Sequence, residues 1–320
     1  MKTAIIQTED LTKSYHHRPV VDGVSLLIEQ NSIYGFLGPN GAGKTTTMKL
    51  LLGLTPKDSG SISILGHQMN EENRIAVLSE TGSLIENPSY YGNLTGYENL
   101  KISCTLKGLP FSEIDRVLKI VRMDSQKHKK ASHYSLGMKQ RLGIANALLG
   151  SPRLLLLDEP TNGLDPSGIH EMRELIKSLP QQYGMTVMIS SHLLSEIEQV
   201  SDTVGIISGG RLIYQGLLSG LRAKNPRFLL IRTSDNRRAE ALIAKSRFAH
   251  LLCPASQDAG GRQAAPTAPS RTICLSCPDD RETGALAGFL IEQGLAIYRI
   301  QEQQDSLEEL YLKMVKEVSL

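Results

Sequence analysis

The sequence contains no tryptophan, and aromatic residues make up only 5% of its 320 positions. Proteins that bind single-stranded nucleic acid stack bases on aromatic side chains, so this scarcity disfavours that class. An excess of one charge is also lacking, because the formal net charge is +2. A chain so nearly neutral indicates no strongly charged partner, and we expect no nucleic acid among its partners.

Cysteines are few, and they are Cys104, Cys253, Cys274 and Cys277. Four thiols in a chain of this length do not form a disulfide framework, which favours a reducing compartment. Cys274 and Cys277 form an isolated C-x-x-C pair without metal-ligating partners nearby in the sequence. We therefore interpret them as incidental thiols.

Long apolar runs are lacking as well. Segments such as 154–157 fall far short of the ~18 residues that a membrane-spanning helix needs. No apolar core of a signal peptide follows the first residues, Met1-Lys2-Thr3. The sequence predicts a soluble chain, with a length that allows about two domains, whose link to any membrane goes through a partner.

The segment 38–45, Gly-Pro-Asn-Gly-Ala-Gly-Lys-Thr, fits the phosphate-loop pattern G-x-x-x-x-G-K-[ST] at every fixed position. Residues 32–37 are predicted as a buried strand before the loop, and residues 46–52 as a helix after it. The loop amides and the helix N-terminus can bind phosphates, Lys44 can reach the outer phosphates, and Thr45 can ligate Mg²⁺. A glycine-rich turn that happens to contain a lysine is the alternative, which the flanking elements disfavour. The expected nucleotide-binding residues here are Gly38, Pro39, Asn40, Gly41, Ala42, Gly43, Lys44, Thr45 and Thr46.

Two carboxylates follow the leucine run at 154–157, which predicts a fully buried strand. Ligands bind at the carboxyl ends of strands in an open α/β sheet. Since neighbouring residues of an extended chain point to opposite sides, Asp158 and Glu159 can serve the metal and the water separately. The predicted strand at 186–192 ends on His192. A lone histidine is usually structural, but its position at the same sheet edge makes it a functional candidate.

The apolar pattern becomes helical from residue 95 to about 149 and interrupts the alternation of strands and helices. It predicts an inserted helical subdomain over about 87–150. Within it, Ser135 is predicted to cap a helix whose N-terminus can bind an anion, although an ordinary capped helix is the alternative. Tyr15, ahead of the phosphate loop, can stack on an adenine or be an ordinary surface tyrosine.

Other segments complete the outline. Antiparallel strands are predicted at 5–7 and 26–28, and a hairpin at 204–214. The final hundred residues predict a small α+β appendage with a mobile loop at about 253–270. Its predicted strands are 226–231, 272–275 and 295–299, and its helices are 237–245, 282–293 and 307–318.

Residues 5–221 resemble the nucleotide-binding subunit of ABC transporters. Tyr15 matches the adenine-stacking aromatic and His192 the switch histidine. Residues 38–45 match Walker A, 135–140 the signature, 154–159 Walker B and 163–165 the D-loop. The resemblance implies an α/β P-loop NTPase of the ABC ATPase fold, with an antiparallel β subdomain and the helical insertion. Residues 1–221 are then the ATPase domain and 222–320 an accessory domain.

Two departures from the family pattern refine the resemblance. Leu136 replaces a glycine of the signature, while Ser135 and Gly137 remain. No glutamine occurs between Asn70 and Ser125, and Glu86 occupies the usual place of the Q-loop glutamine. A carboxylate can also ligate Mg²⁺, although it adds negative charge beside the γ-phosphate. Both departures resemble the bacitracin and lantibiotic immunity branch of bacterial ABC exporters.

The resemblance implies a mechanism in which two ATPase subunits meet head to tail and enclose ATP and Mg²⁺. Ser135 and Gly137 of one subunit face the phosphate loop of the other, and Asp165 couples the two sites. Glu159 polarises the attacking water, and His192 contacts the γ-phosphate. Lys44 holds the phosphates. Thr45, Glu86 and Asp158 are the expected metal ligands.

The function implied is ATP hydrolysis that powers a membrane exporter of antimicrobial peptides. The expected partners are a second ATPase subunit, identical or different, and a separate transmembrane permease that holds the chain at the cytoplasmic face of the membrane. A soluble ABC ATPase acting on ribosomes or DNA is one alternative, and an exporter of an unrelated lipophilic compound is another. Glu159 and His192 argue against a third, a nonhydrolysing regulatory cassette.

Overall fold

The computed structural model describes residues 3–223, 227–253, 272–276, 279–304 and 306–318. These residues fall into two compact units, one within 1–220 and 311–320 and the other within 221–310. The predicted domain boundary after residue 221 stays a prediction. The grouping of residues 311–320 with the first unit is a feature that the sequence did not indicate.

The first unit contains an antiparallel sheet and a larger, mainly parallel sheet. Its strands are β1 (Ala4–Tyr15), β2 (Arg18–Val24), β3 (Leu27–Glu29), β4 (Ile33–Leu37), β5 (Ser59–Ile64), β6 (His67–Gln68), β7 (Thr81–Leu84), β8 (Leu154–Asp158), β9 (Thr186–Ser191), β10 (Thr203–Ser208) and β11 (Arg211–Leu217).

The antiparallel sheet has the order β2-β1-β5-β6, and β3 also pairs with β1. Ile6 lies opposite Ile28 and Gln7 opposite Leu27, which confirms the predicted pairing. The segment that carries Tyr15 belongs to the same long strand, β1, as the segment around Ile6.

The larger sheet has the order β11-β10-β4-β9-β8-β7, with parallel pairing from β10 to β7. All five residues of β8 are buried, because β8 has a neighbour on both sides and the leucines pack above and below the sheet. The hairpin predicted at 204–214 is the β10–β11 pair. Parallel pairing brings the carboxyl ends of β4, β8 and β9 to one edge of the sheet.

The helices of this unit surround the larger sheet or form the insertion. They are α1 (Lys44–Leu51), α2 (Arg74–Ser79), α3 (Gly96–Leu106), α4 (Ser112–Ile120), α5 (Leu136–Ala147), α6 (Pro166–Tyr183), α7 (Leu194–Ile197) and α8 (Leu218–Ala223), which crosses the unit boundary. Within the residues that the structure describes, none of these or the later helices combines the length and hydropathy needed to cross a bilayer.

The helical insertion consists of α3, α4 and α5, which pack against one another. Thr95 and Glu98 begin α3 with a capping box, in which each side chain bonds the backbone of the other residue. Ile114 and Leu118 of α4 are fully buried, one turn apart on the same face. The sequence prediction of a helical subdomain is confirmed in this region.

The core of the first unit joins the two sheets and α1. Ile6 and Leu11 of β1, Phe36 of β4, Met48 of α1 and Leu156 of β8 belong to one buried cluster. Burying each such side chain stabilises the fold by about 1.5–3 kcal/mol. The phosphate loop therefore lies between two elements, β4 and α1, that are fixed by packing.

The second unit is a three-stranded antiparallel sheet, ordered β13-β12-β14, with helices α9 and α10. Leu229, Ile231, Ile243, Leu275 and Leu290 belong to its core. The elements are β12 (Arg227–Thr233), α9 (Asn236–Ala244), β13 (Ile273–Ser276), α10 (Asp280–Glu292) and β14 (Ile297–Gln304), followed by α11 (Leu307–Val318). The predicted α+β appendage is confirmed, while its loop at about 253–270 lies outside the described residues except for Cys253.

Cys253 and Cys274 face each other in this unit, with their sulfurs 3.7 Å apart. The sequence interpretation paired Cys274 only with Cys277, which lies outside the described residues. Burial, together with the hydrogen bond to Cys253, raises the pKa of Cys274 from 9.0 to about 11. The thiol of Cys274 is therefore strongly held in its protonated form.

Candidate functional site

The phosphate loop begins at the end of β4 and continues into α1, so its backbone is anchored at both ends. Gly43 has a φ of 105°, and a Cβ there would lie 2.4 Å from the carbonyl oxygen of Val20. Only glycine meets both conditions, the left-handed backbone and the close approach. Pro39, Asn40, Gly41 and Ala42 complete the loop, and Thr46 lies in the first turn of α1.

Lys44 is only 5% exposed and lies inside the curve of the loop. Its ammonium group donates hydrogen bonds to the carbonyl oxygens of Gly38 (2.7 Å) and Pro39 (3.2 Å). It also lies 3.3 Å from Oε1 of Glu159. The buried ammonium group of Lys44 therefore adds its positive charge to that of the loop amides and the helix N-terminus. Together these groups favour a bound anion such as a phosphate.

Asp158, at the end of β8, is buried and accepts two hydroxyl hydrogen bonds. Thr45 donates to Oδ2 at 2.7 Å, and Ser190 donates to Oδ1 at 2.6 Å. Ser190 also accepts a hydrogen bond from the backbone N–H of Glu159 at 2.9 Å. The oxygens of Thr45 and Asp158 are the hard ligands that Mg²⁺ prefers, so this pair fits that ion.

Glu159 follows Asp158 and turns away from it, with a φ of 47°. Its Oε2 lies 2.9 Å from Nδ1 of His192, which directly follows β9. The strand predicted at 186–192 is β9, which ends one residue earlier, and His192 follows it in contact with Glu159. The carboxylate of Glu159 thereby joins Lys44 on one side to His192 on the other.

Glu86 lies two residues beyond β7, in the segment that leads to α3. Its side chain is 61% exposed and accepts a 2.6 Å hydrogen bond from Lys49 of α1. That hydrogen bond raises the pKa of Lys49. In the described parts of the chain, no three His, Cys, Asp or Glu side chains gather as a metal site. The structure brings Thr45 and Asp158 into contact, and it pairs Glu86 with Lys49.

Tyr15 ends β1 and is 44% exposed. The ammonium group of Lys13 lies 5.5 Å from the centre of its ring. An exposed ring of this kind suits a stacking surface as well as an ordinary surface tyrosine, so both interpretations remain.

Ser135 and Asp165 cap two helices. Ser135 Oγ accepts a hydrogen bond from the N–H of Met138 at the start of α5. Asp165 Oδ1 accepts one from the N–H of Gly168 at the start of α6. Gly137 lies in the first turn of α5, beside Leu164 of the turn before α6. Within the described chain, no hydrogen bond joins Ser135 or Gly137 to the phosphate loop.

Three polar residues near this site belong to none of the motifs predicted from the sequence: Lys49, Ser190 and Glu196. The pair Ser190-Ser191 before His192 was a usable signal, because two hydroxyls at the end of a buried strand need partners. Lys49 and Glu196 look like ordinary charged residues of helices. Their role becomes visible only when their partners, distant in sequence, are known.

Comparison with known proteins places this geometry in context. A protein-family model described as ABC transporter matches residues 21–162. The bacitracin transport ATP-binding protein BcrA of Bacillus licheniformis is 42% identical over 314 residues, which cover 98% of both chains. The lantibiotic transport ATP-binding protein SrtF of Streptococcus pyogenes is 45% identical over 211 residues, which cover 66% of this chain and 90% of the relative.

A solved structure agrees with these relatives. It is described as the structure of an ATP binding subunit of an ABC transporter. It superposes with a TM-score of 0.62 at 30% identity, over 69% of this chain and 92% of that one. The match supports the fold outlined above for most of the first unit.

Proposed function

Because this chain belongs to the ATP-binding subunits of ABC transporters, we propose that it hydrolyses ATP to export an antimicrobial peptide through a separate membrane subunit. Family membership confirms the resemblance predicted from the motifs, together with ATP hydrolysis as the activity. The substrate class is inferred from two relatives that serve bacitracin and lantibiotic transport. One of them is matched over 98% of its length, including the part beyond residue 221.

The cluster formed by Lys44, Glu159 and His192 supports the hydrolytic part of this proposal most directly. Lys44 and the loop amides bind the β- and γ-phosphates. Glu159 accepts a hydrogen bond from the attacking water and orients it, and His192 contacts the γ-phosphate. The Glu159 carboxylate lies 3.3 Å from Nζ of Lys44 and 2.9 Å from Nδ1 of His192. This spacing supports a role for all three side chains around a single phosphate group.

Thr45 and Asp158 would hold Mg²⁺, and Glu86 is the further ligand that we propose from its sequence position. Bound there, Mg²⁺ would neutralise charge on the phosphate oxygens. Ser190 fixes the orientation of Asp158 and the backbone of Glu159 at the same time. The two neighbouring carboxylates are thereby held in different directions, as their different tasks require.

A second copy or a related subunit completes the site in this proposal. The N-terminus of α5, with Ser135 and Gly137, faces the ATP of the partner. Asp165 and its turn lie beside that N-terminus, because Gly137 approaches Leu164. This contact gives a physical route by which the state of one site can reach the other. The assembled pair binds the permease at the cytoplasmic face of the membrane.

Expression in a peptide-sensitive host tests the proposal. The chain is produced alone, with its neighbouring membrane protein, and as Glu159→Gln with that membrane protein. We expect resistance to bacitracin-like or lantibiotic peptides only for the unaltered pair. Protection by the chain alone would contradict the need for a membrane subunit. Protection by the Glu159→Gln pair would contradict the role of hydrolysis.

A pair that protects against no peptide would contradict the substrate class but not ATP hydrolysis. Copurification of the membrane subunit with the chain, followed by ATPase assay of the complex, then shows whether the pair is a transporter for another compound. Copurification with ribosomes or DNA instead would favour the soluble ATPase alternative.

A further inference from the structure

A buried carboxylate lies behind the reacting residues and has no place in the mechanism given above. Glu196, in the short helix α7, is 8% exposed. Its Oε2 accepts a hydrogen bond from the hydroxyl of Thr161 at 2.8 Å. The same oxygen accepts another from the hydroxyl of Ser191, also at 2.8 Å.

The two hydroxyl donors belong to the segments that carry Glu159 and His192. Thr161 is two residues beyond Glu159, in the turn that follows β8. Ser191 directly precedes His192, and its Oγ also accepts a hydrogen bond from the N–H of Leu193 at 3.0 Å. One carboxylate therefore holds both segments from behind.

The connection extends to the phosphate loop. The carbonyl oxygen of Ser191 accepts a hydrogen bond from the N–H of Gly38, the first residue of that loop, at 3.3 Å. Glu196 thus contacts, directly or through Ser191, the three segments that carry Lys44, Glu159 and His192. These are the residues whose relative positions decide whether water and phosphate are aligned.

Stability alone is a poor reason for a carboxylate at this position. Burying a charged group is costly, and hydroxyl partners recover only part of its lost hydration. Apolar side chains at all three positions, 161, 191 and 196, would fill the same space without that cost. Small misplacements of reacting groups, by contrast, reduce rates by about 10²-fold per ångström. The gain in hydrolysis rate from fixing two catalytic segments therefore explains why a carboxylate is buried here in spite of its unfavourable burial.

From this geometry we infer that Glu196 is a positioning residue for ATP hydrolysis, which holds Glu159 and His192 in register through Thr161 and Ser191. The inference rests on the roles proposed above for Glu159 and His192. It assigns to Glu196 no contact with ATP or with the attacking water.

The test uses the full chain copurified with its membrane subunit, in the presence of ATP and Mg²⁺. Single-turnover hydrolysis, equilibrium ATP affinity and the melting temperature are measured for each variant. Glu196→Gln keeps an oxygen that can accept both hydroxyl bonds, so we expect a rate within about threefold of the unaltered chain. Glu196→Met removes the acceptor at similar length. We expect it to lower the hydrolysis rate about tenfold or more while ATP affinity stays within about twofold.

A double-mutant cycle separates positioning from general stability. Thr161→Val should slow hydrolysis in the unaltered chain but add little in the Glu196→Met background, because the bond is already lost. Thr8→Val is the matched control, since Thr8 is a buried threonine with two 2.8 Å hydrogen bonds to Val24 and Leu26. It should lower the melting temperature without lowering the rate.

Several results would overturn the inference. These are a folded Glu196→Met chain with the unaltered rate, a Thr8→Val rate that falls equally, or additive effects of Glu196→Met and Thr161→Val. If Glu196→Met does not fold, Thr161→Val and Ser191→Ala decide, and unaltered rates in both would reject it. Glu159→Gln in the same assay tests the proposed catalytic role of Glu159 separately. A Glu159→Gln chain that hydrolyses ATP at the unaltered rate would contradict that role, independently of the results for Glu196.

Discussion

The ammonium group of Lys44 lies 3.3 Å from the carboxylate of Glu159, so the phosphate-binding cation and the proposed water-orienting carboxylate contact each other directly. Both side chains are largely removed from solvent, and their attraction is stronger than it would be on the surface. The γ-phosphate has to compete with Glu159 for Lys44. We expect ATP binding to redirect the carboxylate toward the attacking water.

Replacing Lys44 with alanine should lower the rate of ATP hydrolysis by about 10²-fold or more, because the charge that binds the outer phosphates is lost. Steady-state phosphate release measures the effect. Lys57→Ala is the control, since Lys57 donates only to the carbonyl of Gly60 on the exposed surface. A Lys44→Ala rate within a few-fold of the unaltered chain would contradict the assignment.

Glu159→Gln should keep ATP binding and lose turnover, because an amide cannot polarise water as a carboxylate does. Without hydrolysis, the ATP-bound pair of subunits should accumulate. Gel filtration with ATP and Mg²⁺ measures this dimer, and Glu80→Gln, at an exposed ion pair with Arg153, is the control. A Glu159→Gln chain that remains monomeric would count against the proposed role.

Glu86 should tolerate glutamine, since the amide oxygen can still face Lys49 or a metal. Glu86→Ala should weaken the coupling of hydrolysis to export more than it weakens ATP binding. The comparison uses ATP and Mg²⁺ affinities together with export by the complex, and Lys49→Met tests whether the 2.6 Å bond matters by itself. Full export and unchanged affinities in Glu86→Ala would remove Glu86 from the site.

The thiol of Cys274 should resist alkylation until the solution is strongly alkaline, since its pKa is raised to about 11. Between pH 9 and 11 the unfolded chain loses this proton before the folded chain does. The contribution of the Cys274 thiol to the free energy of unfolding is therefore complete below pH 9, and it is lost as the pH rises through about 11.

The rate of reaction with iodoacetamide, measured from pH 7 to pH 11.5, checks this expectation. Cys253→Ala removes the hydrogen bond that helps to raise the pKa of Cys274, so it should move the reaction of Cys274 to lower pH. Rapid alkylation of folded Cys274 at pH 8 would show that the thiol is neither buried nor paired as described.

The sequence predicted most of the site because its residues come in short segments with fixed spacing. Lys44 and Thr45 belong to one sequence motif, while Asp158 ends a strand and His192 directly follows one, and the buried character of both strands is visible from composition. Parallel pairing then brings the strand ends to one edge without further information. The placement of Glu159 against Lys44 follows from that edge.

The rest could not be predicted because it depends on side-chain directions and on contacts between distant segments. The hydrogen bond between Glu86 and Lys49 joins residues 37 positions apart, and it leaves no pattern in the sequence. Glu196 and Thr161 are separated by 35 positions and share one hydrogen bond. A threonine at 161 and a glutamate at 196 are both common residues, and neither one predicts a hydrogen bond to the other.

The first unit is discontinuous along the chain, since the described residues 311–318 belong to it and the described residues between 221 and 310 do not. A ribosome makes the chain from its N-terminus, and domains usually fold as they emerge. Here residues 1–220 emerge before the buried Tyr311 has been made, and the whole second unit is translated in between. The nucleotide-binding unit therefore reaches its final packing only late in translation, which ties its maturation to the synthesis of its own appendage.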